Sequence, residues 1–190
     1  MSARISILLL TFLAVLALHS VARGFQVREH LTPQEIDLVK DAQALDKRID
    51  VFIKAADRRV LALNGPNASS AKQLQKDSEL WGDLPAGTRA ELIGDIARIF
   101  DEGITNIDDV SARDENNPLI PKALRKLAGA ASRIVEQLKP AGTQAKSDAE
   151  LSSFDQLTEN AESILQAASK LPPPVEKKGK GKAEKPKATN

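Results

Sequence analysis

Few residues in this chain are equipped for chemistry. Its 190 residues include two histidines, one methionine, no cysteine and no tyrosine. His19 and Met1 fall in the apolar N-terminal stretch, so His30 is the one imidazole of residues 23–190. A carboxylate-bridged di-iron bundle takes a Glu-x-x-His pair from each of two helices, which one histidine ahead of the first helix does not supply. Haem held by His and Met, or attached through C-x-x-C-H, lacks its residues, as do thiol catalysis and thiolate zinc sites. A Ser-His-Asp triad would have to recruit His30, and no G-x-S-x-G elbow accompanies it. Neither a Walker A loop nor a dinucleotide fingerprint occurs. The stretch DEGITNIDDV, Asp101 to Val110, has a passing likeness to a calcium loop. It lacks the alternating acidic ligands before the glycine and the closing acidic residue, and reads as helix with exposed carboxylates.

Carboxylates remain as acids or bases. Asp37, Asp41, Asp46, Asp50 and Asp57 recur along one predicted helix, where such patterning reads as a solvated face. Paired carboxylates do cleave glycosides, but sugar sites are usually walled by aromatic rings, and this chain has five Phe, one Trp and no Tyr. The expectation is therefore a non-enzyme without metal or cofactor, a carboxylate-based hydrolase being the weaker alternative. Cations form a second constellation. Lys122, Arg125, Lys126 and Arg133 share one predicted helix, and Lys177, Lys178, Lys180, Lys182, Lys185 and Lys187 crowd the C-terminus. Together they are candidate contacts to an anionic envelope polymer or to lipid head groups. The competing reading of the helix is a basic outer face that pairs with acidic faces of its neighbours, because its stripe lacks the bulky aromatics of an interfacial anchor. No aromatic interrupts the tail lysines, so base stacking has no platform and nucleic acid is not an expected partner.

The elements that would position these residues are helical. Leu38, Ala42, Leu45, Ile49, Phe52 and Ala56 recur at alternating spacings of three and four, and Val60 and Leu63 continue the stripe. This predicts one long helix from Pro33 to Leu63, about 46 Å at the standard rise. Thr32 and Glu35 make a capping box at its start, and Asn64-Gly65-Pro66 stop it. Pairs Asp37/Lys40 and Asp50/Lys54 are spaced to support its polar face. A shorter helix is expected from Ser70 to Trp81, with Trp81 sealing an edge of the core. Asn67-Ala68-Ser69 also matches a glycosylation acceptor, of little meaning in a bacterial host.

A second long stripe, Leu92, Ile96, Ile99, Gly103, Ile107 and Val110, predicts a helix from Pro85 to about Arg113, with close packing at Gly103. A third, Ile120, Leu124, Leu127, Ala131, Ile134 and Leu138, predicts Leu119 to about Lys139, ended by Pro140-Ala141-Gly142. The last, Leu151, Phe154, Leu157, Ala161, Ile164, Ala168 and Leu171, predicts Ser147 to Leu171, with Ser147 and Glu150 as a capping box. All ten prolines then fall at helix boundaries or in the tail. With short connections, the pattern predicts an all-α fold: an antiparallel up-and-down bundle of four main helices plus one short helix, and a disordered basic C-terminal tail.

The chain opens MSARISILLLTFLAVLALHSVARG. Arg4, the apolar run Ile5–Leu18 and the small residues Ser20 and Ala22 predict a secretory signal peptide over residues 1–22. The run is shorter than the ~20 residues a membrane span needs. The expected organisation is residues 1–22 signal, 23–171 bundle and 172–190 tail, with no transmembrane segment after cleavage. Residues 23–170 carry 20 Lys+Arg against 24 Asp+Glu, a net of −4, and residues 171–190 carry six Lys against two Glu, a net of +4. Absence of cysteine in an exported chain favours a bacterial periplasmic or extracellular setting. The function expected is a non-catalytic one, through protein–protein or cell-envelope contacts including self-association. The alternative is an anionic ligand or surface bound through the Lys-rich tail and the basic helix face.

Overall fold

A computed structural model describes residues 28–173. The predicted signal peptide and the tail from residue 174 on, with its six lysines, lie outside these residues. Six helices follow one another: α1 (Pro33–Asp41), α2 (Leu45–Asn64), α3 (Ala68–Trp81), α4 (Arg89–Arg113), α5 (Leu119–Thr143) and α6 (Asp148–Ser169). The described residues hold no strand, and the all-α expectation stands. None of these helices is long and apolar enough to cross a membrane.

Helices α2, α4, α5 and α6 form the bundle. Lys122, Lys126 and Arg133 of α5 meet Asp46, Asp50 and Asp57 of α2 at a constant offset, so these neighbours run parallel. Arg48 of α2 reaches Asn106 of α4, while a methyl at Gly103 would lie 3.9 Å from Ile49, so α2 and α4 run antiparallel. Arg89 with Glu150 and Asn160 with the Ala97 carbonyl set α6 parallel to α4. Direction thus alternates along the chain, as an up-and-down bundle requires. The α4–α5 step crosses between corners, which places α2 opposite α6. The core is built on the predicted stripes: Ile49, Phe52 and Ala56 of α2, Leu92, Ile96 and Ile99 of α4, Leu127, Ala131 and Ile134 of α5, and Leu157 and Ile164 of α6 are all buried, joined by Phe100 from beside the α4 stripe. Gly103 packs as its stripe position implies, since a methyl there would stand 3.2 Å from Leu127. Leu151 departs from its stripe and is exposed.

The long helix expected from Pro33 to Leu63 is two helices. The chain leaves helical geometry at Ala42 (φ −76, ψ 86) and re-enters after Ala44 (φ −81, ψ 135). The cause is tertiary. Glu35 bonds Arg58 and Arg59, residues that a continuous helix would hold about 34 Å away. Their meeting requires α1 to fold back on α2. The Arg48 guanidinium donates to the Ala42 carbonyl at 3.1 Å and the Gln43 amide to the Lys40 carbonyl at 3.1 Å, so the carbonyls freed by the break keep partners.

Other boundaries shift for local reasons. α4 begins four residues after Pro85, where Thr88 and Glu91 form a complete capping box. α5 does not end at Pro140 but passes through it to Thr143. Pro140 forfeits its own bond to the carbonyl four residues back and crowds it; beyond it the last turn is closed by the Thr143 hydroxyl, which donates to the Pro140 carbonyl at 3.0 Å. At Ser147 only half of the expected box forms: its hydroxyl caps Glu150 N, while the Glu150 carboxylate accepts from Lys146 N. Gly142 is required by packing, because a methyl there would sit 2.5 Å from the Phe154 ring of α6.

Candidate functional site

The most concentrated polar chemistry lies where α1, α2 and the end of α3 meet. Glu35 closes the capping box of α1 with one carboxylate oxygen, which accepts from Thr32 N at 2.9 Å. Its other oxygen accepts from Arg58 Nε at 3.2 Å and Arg59 Nη1 at 2.6 Å. All three side chains are buried. Arg59 also donates to the Ala55 and His30 carbonyls. Arg58 Nη2 faces three successive carbonyls, those of Trp81, Gly82 and Asp83, at 3.0, 3.2 and 2.5 Å. Three carbonyls in a row converge on one nitrogen only because Gly82 takes φ +64, a conformation that costs side-chain-bearing residues and is free to glycine. The Trp81 ring closes the cluster, with Lys54 Nζ 4.6 Å and Arg58 Cζ 5.6 Å from its centroid. Trp81 is buried and seals the edge expected of it.

A second cluster ties the N-terminal strap to α4. Arg28 donates to the Ala86 carbonyl at 2.8 Å and lies 2.9 Å from Asp95 Oδ2, while Arg98 bonds Asp95 Oδ1 at 2.7 Å. Asp95 is fully buried. No N–H is aimed at its Oδ2, so the Arg28 contact is one of charge alone. Burial pushes the Asp95 carboxyl above the usual aspartate range, against the pull of Arg98 and Arg28. Glu91 moves the other way, held down by the Thr88 backbone and hydroxyl bonds. Further along, His30 Nε2 lies 2.7 Å from Glu102 Oε2.

The cations singled out in the sequence are placed as follows. Lys122 meets Asp46 at 2.6 Å, Lys126 meets Asp50 at 2.7 Å, and Arg133 grips Asp57 with both terminal nitrogens at 2.8 and 3.1 Å. Arg125 turns to the Pro172 carbonyl just beyond α6. Lys122, Lys126 and Arg133 therefore face three carboxylates of the acidic row; Asp37 and Asp41 stay exposed and Asp50 and Asp57 partly so, whereas Asp46 is buried and departs from the solvated face. The Lys122 hydrogen bond holds the Asp46 carboxyl below the usual range, and Asp46 in turn raises the Lys122 ammonium. Asp50 pairs with Lys126 rather than with Lys54, whose partner is Asp77 of α3 at 2.6 Å. The Asp37–Lys40 pair forms as spaced.

Between α2 and α3 lies a groove of about 320 Å³. Leu61 and Leu74 supply its apolar walls, and Lys54, Asp57, Arg58 and Asp77 its polar edge. Leu80, further along the same α3, is 61% exposed. Glu35, Arg58 and Arg59 are locked by mutual bonds, and an arginine does not exchange protons near neutrality. Asp95 is out of reach of any substrate. The clusters hold elements together, and the open groove with its leucine-bearing helix is the part of this region free to meet another molecule. Sequence reasoning missed the Glu35–Arg58–Arg59 cluster; its one signal is Arg59, a charge seven residues after Phe52 on the apolar stripe. Among the described residues no group of acidic or histidine side chains is arranged to hold a metal ion. Comparison of the chain with protein-family models, with curated proteins and with solved structures gives no match.

Proposed function

We propose that this chain is an exported, non-catalytic helical bundle that works by contact with another protein, a second copy of itself, or a component of the cell envelope. The observation that carries the reading is the leucine-bearing edge along α3. Among the described residues Leu80 is the most exposed of the large apolar side chains, and its helix forms one side of a groove whose apolar walls are Leu61 and Leu74. Leu80 lies outside the groove lining; what favours a contact surface is the conjunction of an exposed leucine with an open, leucine-walled groove along one helix. The signal-like N-terminus supports export, and the locked arginine cluster supports a scaffold that anchors the C-terminal root of α3.

Native mass spectrometry of the chain purified gently from its own host's envelope tests this reading, with Leu80→Asp run beside it. A partner or second-copy mass that disappears in the Leu80→Asp protein is the expected result. A bare monomer in both, or a partner mass indifferent to the substitution, overturns it.

A further inference from the structure

The geometry points to α3 as a latched flap: a helix that opens off α2 as one unit while the four-helix core stays folded, held shut by the Lys54–Asp77 pair. Of the fourteen residues of α3 only Trp81, its last, is buried. The only helix that α3 approaches backbone to backbone, among the described residues, is α1. Its two ends are marked by Gly65 (φ +76) and Gly82 (φ +64), the only described residues with positive φ. The first turn is satisfied from within, since the Asn67 side chain caps Ser69 N and Ser70 N, so the helix keeps its cap when it lifts. The C-terminal root is different, because Arg58 holds the three carbonyls from Trp81 to Asp83. Between the free start and the fixed root, α3 is bound to α2 by Lys54 Nζ on Asp77 Oδ2 at 2.6 Å, while Leu74 and Leu61 line the open groove that separates the two helices. An element whose one buried side chain lies at its fixed root, Trp81 under Lys54 and Arg58, and whose remaining length carries one ion pair to α2 belongs to the low-stability end of a structure, where local opening precedes global unfolding. The inference concerns the isolated chain and does not rest on the contact function proposed above.

Peptide-resolved hydrogen exchange of the full chain tests it, comparing amides of α3 with those of α4 and α5. Asp77→Asn keeps the shape of the side chain and removes its charge; Lys54→Met removes the other partner. The expected result is α3 protection far below that of α4 and α5 in the parent protein. Either substitution raises α3 exchange about fivefold, as the loss of one solvent-screened pair should, and the double variant goes little further. Exchange in α4 and α5 stays unchanged. An α3 as protected as α4 overturns the flap. An α3 that exchanges fast but ignores both substitutions, or a change spread equally over all helices, overturns the latch.

Discussion

Replacing Glu35 by alanine tests the central clasp most sharply. The substitution leaves Arg58 and Arg59, 4% and 1% exposed, without the carboxylate they share. Arg58 retains three carbonyl acceptors and Arg59 two, so hydrogen bonding survives in part while charge balance does not. Breaking a buried ion pair from one side costs about 3–5 kcal/mol. Glu35 also serves the α1 capping box, and such a cap contributes about 0.5–2 kcal/mol. Against a typical domain stability of roughly 5–15 kcal/mol, the broken ion pair by itself removes about a fifth of the total or more. For a chain of this length it lowers the melting temperature by about 6–20 °C. The assay is urea unfolding followed by far-ultraviolet circular dichroism and by fluorescence of Trp81, the only tryptophan, which sits against Arg58. Glu35→Gln keeps an acceptor for Thr32 N and isolates the charge. A loss below about 1 kcal/mol for Glu35→Ala, the scale of an ordinary exposed pair, would refute the claim that this carboxylate joins α1 to α2.

Two further outcomes follow from the packing and the titrations. Asp46, Asp77 and Glu91 are held below their ordinary values of 3.8, 3.8 and 4.5; their contribution is present above those values and is lost as pH falls through the lower folded ones. Asp95 is raised above 3.8, so proton uptake there stabilises the fold as pH falls toward that raised value. The urea midpoint should therefore hold or rise slightly from neutrality, then collapse below about pH 4, and in Asp95→Asn the rise should vanish while the collapse remains. Gly142→Ala places a methyl 2.5 Å from the Phe154 ring and should cost about 1–3 kcal/mol by overpacking, measured by the same urea titration. Phe154→Leu in that background should recover part of the loss.

The four bundle helices are legible because their apolar residues repeat at helical spacing without interruption and such caps as they carry are local. The Asn64-Gly65-Pro66 stop of α2 and the Ser147 cap of α6 act within a few residues, as does the Thr32–Glu35 box that starts α1, whereas the N-cap residues of α2 and α5 supply no side-chain bond. The break at Ala42–Ala44 is not legible. The stripe runs in phase from Leu38 through Leu45, no glycine or proline interrupts it, and its determinant is a carboxylate that finds its partners 23 and 24 positions away. Likewise Pro140 reads as a stop, yet α5 runs one more turn beyond it, where Leu138 is buried and Gly142 packs on the Phe154 ring of α6; those contacts lie outside a local window. The Asp46–Asp50–Asp57 row can be read as acidic from sequence, but only the side-by-side placement of α2 and α5 turns it from a wet face into a ladder. Spacing alone does not single out the α3 groove, because its two leucine walls come from different helices.

The parallel placing of α2 and α5 also orders events in time. Each rung of their ladder closes a loop of 76 residues, whereas the Glu35 clasp closes loops of 23 and 24. Loop closure entropy grows as the logarithm of length, and this ratio adds about 1 kcal/mol to each first rung. A chain made from its N-terminus can therefore shut the α1–α2–α3 corner as soon as Asp83 has emerged, with α5 still to come. The corner that ends as the edge of the finished bundle is thus the part whose cross-links close the shortest loops.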